Sequence, residues 1–468
     1  MKNKQQFYLW GISFVVALGG FLFGFDTGVV SGLTESVEKQ FQLSDIGKGW
    51  FVSSAILGCI IGAGCAGIIA DRLGRKTVLF LTGFLFMAGA IGCAYPYNWT
   101  FFIVIRIVGG AGIGAASMIV PLYIAEIAPP NVRGRLGTFF QLAIVFGLFV
   151  SYFSNTLINS IPALCPEWFT LPLLSYVFIE ENWRGMFLMG SFPAIFYTLL
   201  LVLVPESPRW QLVNGKEAMA LKTLNKLLDP QNADRELESI RLASRQETGS
   251  FGELFATRIR FGIVIAVLLM FFAQFTGINA VMYFGNEVFK DAGFSKNFSF
   301  WLQTIIIGIT NIVFTVLAIW KIDQWGRKSL LKIGTPVLLF LLAAITFFFF
   351  VKRLWGINDQ TLLLLPVLMV LFVGSFAMSW GPVPWVVVAE IFPAKIRGRA
   401  VSIGTMTIWA SCFLVAQTFP ILSKRGGPEA CFGLYTVCMA FAIVFVWFYL
   451  PETKGKTLEE IERELYRS

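Results

Sequence analysis

From Gln5 to Thr34 the chain runs for thirty residues with one charged side chain among them, Asp26. A helix of that length crosses a bilayer, whose ~30 Å hydrocarbon core takes roughly 20 helical residues. A carboxylate inside such a helix is costly and tends to mark a proton or substrate path. Gly20, Gly24, Gly28 and Gly32 recur every four residues and form one stripe, with Asp26 on roughly the opposite face. The stripe suits close packing against a neighbouring helix, while the acid points elsewhere. Lys2 and Lys4 make a weak leader-like start, but the run is too long for a cleaved signal and has no small-residue cleavage site. It is expected to be a retained first helix.

Eleven further apolar runs repeat the constraint. The twelve expected spans are 8–33, 48–70, 77–96, 99–123, 136–160, 184–204, 261–285, 299–320, 330–351, 361–389, 398–421 and 431–450. Only 14% of the residues are charged, against ~25% in a soluble domain. The fold class is therefore an all-α membrane protein of twelve transmembrane helices embedded in a lipid bilayer. Of the 37 Lys and Arg, 27 fall in loops on the side of the termini, nine on the other side and one, Arg106, within a span. The positive-inside rule then places both termini in the cytoplasm. The net charge of +9 reflects this topology and not nucleic-acid binding.

The two halves repeat their punctuation. Asp71-Arg72-Leu73-Gly74-Arg75-Lys76 recurs as Asp323-Gln324-Trp325-Gly326-Arg327-Lys328, 252 residues later. The stretch from Ala125-Glu126 to Arg133-Gly134-Arg135 recurs from Ala389-Glu390 to Arg397-Gly398-Arg399, 264 residues later, and Pro205-Glu206-Ser207 is echoed by Pro451-Glu452-Thr453. These echoes divide the chain into a six-helix bundle at 1–205, a cytoplasmic linker of short amphipathic helices at 206–260, a second bundle at 261–450 and a tail at 451–468. Parallel repeats of this kind belong to transporters that rock one half against the other around a midplane site. The seven cysteines lie mostly in apolar runs without metal-ligand spacing, so no metal or cofactor is expected. There is no histidine, so a coupled proton must ride on a carboxylate.

The paired Gly-Arg-Lys turns, both Arg-Gly-Arg loops, Pro205-Glu206-Ser207-Pro208-Arg209-Trp210 and Pro451-Glu452-Thr453-Lys454-Gly455 resemble the sugar porter family of the major facilitator superfamily over nearly the whole length. The resemblance implies the major facilitator fold, a neutral sugar as small-molecule substrate and, in its coupled members, a co-transported proton. The short tails and loops suggest a multi-pass protein of a bacterial inner membrane, and a monomer is expected.

Depth matching singles out one pair. Asp26 lies seven residues before Leu33 and Arg106 seven after Trp99, so both sit about 10 Å below the outer surface. Two such charges are expected to pair, since a lone buried charge costs several kcal/mol. Beside Arg106 the carboxylate stays ionised; with Arg106 withdrawn, burial favours its protonated form. The pair could instead merely orient two helices. Coupled sugar porters resemble this chain in having an acid in the first helix and an arginine in the fourth.

A sugar needs amides and an aromatic face. Span seven offers Gln274, Asn279 and Tyr283, with the two amides converging on one ligand if the helix breaks near Gly277. Span five offers Gln141, span eight Asn311 and span ten Trp380, in a segment whose glycine and prolines favour a kink. The resemblance assigns sugar contacts to Gln141, Gln274, Asn279, Asn311 and Trp380. Phe23, one turn before Asp26, either lines the cavity or packs. Coupled relatives carry polar residues where this chain has Ala273, Leu148, Ile408 and Cys412, so their sugar cannot be carried over. At the cytoplasmic surface Asp71, Arg75, Glu126, Arg133 and Glu206, with Arg327, Glu390 and Arg397, are expected to form salt bridges between helix ends that latch this side shut.

The leading reading is a secondary transporter that imports a pentose or hexose with a proton; the alternative is facilitative uniport with Asp26 structural. A non-transporting sensor would need an output domain, and 18 residues follow Leu450. An enzyme is not expected, without histidine, metal cluster or nucleotide loop. Drug export by the same fold sits poorly with the amide set.

Overall fold

The computed structural model describes residues 3–164, 171–245, 257–356, 358–392 and 396–454, and every regular element among them is helical. The first five spans are single helices: α1 (Asn3–Phe41), α2 (Asp45–Leu73), α3 (Arg75–Ala94), α4 (Trp99–Ile127) and α5 (Pro130–Leu164). The sixth is built from α6 (Asn182–Met189) and α7 (Ser191–Leu200). Three short helices follow, α8 (Pro208–Val213), α9 (Glu217–Leu227) and α10 (Pro230–Arg245), with Leu224, Leu227 and Leu228 buried beneath them. Span seven breaks into α11 (Thr257–Gln274) and α12 (Ile278–Ala292). Span eight runs from α13 (Lys296–Leu302) through a π-helical stretch at Gln303–Ile309 into α14 (Thr310–Trp325). Then come α15 (Arg327–Trp355), the broken span α16 (Leu364–Met378) and α17 (Val383–Glu390), and finally α18 (Arg397–Phe448).

Among the described residues, eleven helical stretches are long and apolar enough to cross a membrane. The last, α18, has 52 residues, about 78 Å at 1.5 Å per residue and more than twice a bilayer core. Gly427 inside it adopts φ 74, ψ 169, which no helix tolerates, with Pro428 next. α18 is thus two spans joined end to end, and the total is the expected twelve. Most helices overrun the sequence windows; α1 continues from 33 to Phe41, because helix geometry extends into the polar flank where hydropathy has already fallen.

Contacts divide the chain into two compact units. One comprises Met1–Asp26, Leu57–Gly147 and Phe187–Thr248; the other comprises Thr27–Ile56, Leu148–Met186 and Gly249–Ser468. In the first, small residues let backbones touch: a Cβ on Gly58 would lie 2.1 Å from the Ile107 carbonyl, and one on Gly62 2.0 Å from that of Ala111. Without a hydrophobic drive in lipid, such close van der Waals packing is what joins membrane helices. In the second, α18 packs on α11 and α15, with Phe349 and Phe432 stacked at 6.0 Å.

Candidate functional site

The rotation of α1 is set by its glycine stripe. A Cβ on Gly20 would stand 2.7 Å from the Phe140 carbonyl, on Gly28 2.8 Å from Ser151 Cβ, and on Gly32 2.6 Å from Asn155 Nδ2. α5 therefore lies flush against that face. The opposite face carries Asp26 toward α4, where Arg106 Nη1 donates to its Oδ1 at 2.9 Å. The Arg106 side chain is 3% exposed and that of Asp26 19%, so the acid is the less buried member of the pair. The guanidinium also lies over the Phe187 ring, 5.7 Å from its centroid. Phe23 is half-buried one turn earlier on α1.

The amides of span seven converge as the break at Gly277 allows. Gly277 takes φ 83 between α11 and α12, and the Asn279 amide donates to Gln274 Oε1 and, at 3.1 Å, to Cys412 Sγ. Tyr283 is buried one turn further on, within hydrogen-bond reach of Cys412. Asn311 is buried on α14 and accepts from Thr315 Oγ1 at 3.4 Å. Gln141 is half-buried on α5, within the first unit. Trp380 sits in the break between α16 and α17, 1% exposed, with its indole N–H donated to Thr335 Oγ1 at 3.0 Å. The accessible indole of that segment is instead Trp385, 37% exposed.

At the helix ends bearing the repeated turns, two matching charge triads form, each within one unit. Arg75 grips Glu126 with two donors, Nε at 3.0 Å and Nη2 at 3.1 Å, and reaches Asp71 at 3.2 Å. Glu206 accepts from the backbone N–H groups of Arg75 and Lys76, and so caps the start of α3. Gly74, at φ 99, makes room for it: a Cβ there would meet Glu206 Oε2 at 2.3 Å. In the second unit Arg327 Nη2 donates to Glu390 at 3.0 Å, and the Arg327 N–H donates to Glu452 at 3.2 Å. Sequence reading left out Glu452, although the echo of Glu206 was its signal. It also left out Ser207, whose hydroxyl donates to Glu126 at 2.5 Å. The side chains of Arg133 and Arg397 lie outside those described.

A model of the family "Sugar (and other) transporter" matches residues 12–465. The chain is 38% identical to the D-xylose–proton symporter of Escherichia coli K12, over 97% of this chain and 95% of that one. It is 35% identical to the arabinose–proton symporter of Bacillus subtilis, over 97% and 94%. A solved structure of the xylose transporter XylE from E. coli in its inward-open conformation superposes with TM-score 0.82 at 34% identity, covering 98% of this chain and all of that one.

Proposed function

The chain belongs to the sugar (and other) transporter family, and from that premise we propose that it imports a monosaccharide together with a proton by alternating access. The observation that carries the reading is the Asp26–Arg106 pair, because it sets a partly exposed carboxylate against a buried cation. Arg106 and a proton compete for the same carboxylate, so a rearrangement around the sugar that draws Arg106 away exchanges one for the other and ties the proton to the transport cycle. The symporter names of the relatives support coupling over uniport.

In this reading Gln274 and Asn279 are the first sugar contacts, with Tyr283 and Asn311 adding donors and acceptors. The Asn279 amide donates to Gln274 and Cys412, so a ligand that engages it must offer hydroxyls in exchange for those bonds. That favours a polyhydroxylated ring over an apolar drug. Trp380 serves as a positioning residue held by Thr335, with Phe23 as a link between occupancy and Asp26. The two charge triads brace the cytoplasmic ends of the bundles, whose boundaries are 1–205 and 261–450, and both termini face the cytoplasm of a bacterium as a monomer in its inner membrane. Purified protein in liposomes with an imposed inward proton gradient tests the reading. Uphill accumulation of a pentose or hexose supports it, and equilibration without accumulation leaves uniport.

A further inference from the structure

Nine cations were assigned to the outer loops by sequence alone, and several of them do more than set topology. Within the second unit, the far ends of α1 and α2 meet α12 through six charged side chains. Lys290 of α12 pairs with Glu35 of α1 at 2.7 Å, and Glu35 also holds Lys39 of its own helix at 2.9 Å. Lys48 of α2 pairs with Glu287 of α12 at 2.8 Å and also holds Glu38 of α1 at 3.0 Å. Every charge contributed by α1 and α2 to a pair with α12 thus has a second partner on α1 or α2. The two charges contributed by α12, Glu287 and Lys290, are three residues apart, the spacing at which opposite charges on a helix meet.

We propose that these six residues form a partner-exchange ionic latch that holds the outer side closed and releases it without stranding a charge. In the closed state two ion pairs bridge α12 to the first two helices. On opening, Glu35 keeps Lys39, Lys48 keeps Glu38, and Glu287 turns to Lys290. A latch of single-partner pairs would leave charges unpaired in a partly desolvated cleft, and removing one member of such a pair is strongly destabilising. Exchange avoids that cost, so the outer side is held yet stays releasable. Neighbouring contacts close the same seam: Ser53 Oγ donates to Gln417 Oε1 at 2.7 Å, and Lys424 pairs with Asp45 at 2.9 Å. The inference rests on the orientation and alternating access proposed above.

Hydrogen–deuterium exchange on the reconstituted full chain tests it, read over residues 33–50 and 284–294 with and without sugar. The exchange scheme requires effects of opposite sign. The swap Glu287→Lys/Lys290→Glu keeps the pair between these two positions that serves the open state but sets like charges against Lys48 and Glu35 in the closed state, and should raise exchange there by roughly two- to fivefold, the range of partly exposed pairs. Lys39→Gln removes the partner on which Glu35 depends in the open state and should lower it. Lys39 is 74% exposed, so that variant keeps its fold. Unchanged exchange in the swap, or a change of the same sign in the swap and in Lys39→Gln, overturns the latch. If wild-type exchange at both ends of the molecule ignores sugar, alternating access itself fails, which is a separate result.

Discussion

Asp26 and Arg106 stand 80 residues apart in the chain and 2.9 Å apart in the fold. Arg106 is the more committed partner, buried under Phe187, so losing either side chain has unequal effects. Arg106→Leu leaves a carboxylate that is 19% exposed without its cation, at a cost below the about 3–5 kcal/mol of a fully buried pair. The expected result is a clear drop in melting temperature, partly restored in Asp26→Asn/Arg106→Leu, because the double variant buries no net charge; thermal unfolding in detergent checks this. At the amides, Asn279→Ala should weaken sugar binding about tenfold, the worth of one buried hydrogen bond of roughly 1.4 kcal/mol, as calorimetric titration would read.

At the scale of elements, the break in span seven carries the most meaning. Gly277 holds φ 83 and a Cβ there would lie 2.3 Å from the Tyr435 ring, whereas Gly215, at φ 73, has open space around it. Gly277→Ala should therefore cost several kcal/mol and abolish binding, and Gly215→Ala about 1 kcal/mol with binding intact; melting curves and titrations on both separate strain from crowding. This break was legible beforehand because glycine interrupts an apolar run between two amides. The glycine stripe of α1 was legible for the same reason, as a spacing with a packing consequence. Trp380 shows where such reading stops. The need for an aromatic face and the family resemblance put Trp380 at the sugar, whereas its indole N–H is donated to Thr335 and Trp385 is the more exposed tryptophan of the segment. Rotation after a Gly-Pro break depends on what the helix packs against, and no local pattern records that. Gln303 was passed over likewise: its bond to Ser31 joins residues 272 apart, through a π-helical stretch that periodicity does not reveal.

For the whole molecule, the repeated triads imply matched behaviour of the two halves. Glu126→Gln and Glu390→Gln each remove the carboxylate gripped by the neighbouring arginine, so each should shift the open–closed equilibrium in the same direction, by a few kcal/mol at most. Exchange measurements at residues 70–80 and 325–332 would read this. The central claim, however, is that Asp26 couples the proton and does not hold the sugar. The most direct measurement compares wild type and Asp26→Asn in the same liposomes, by counterflow without a gradient and by accumulation with an inward proton gradient. The account predicts that Asp26→Asn exchanges labelled sugar in counterflow yet fails to accumulate it above the external concentration. An Asp26→Asn variant that still accumulates sugar, or a wild type that never does, would contradict it.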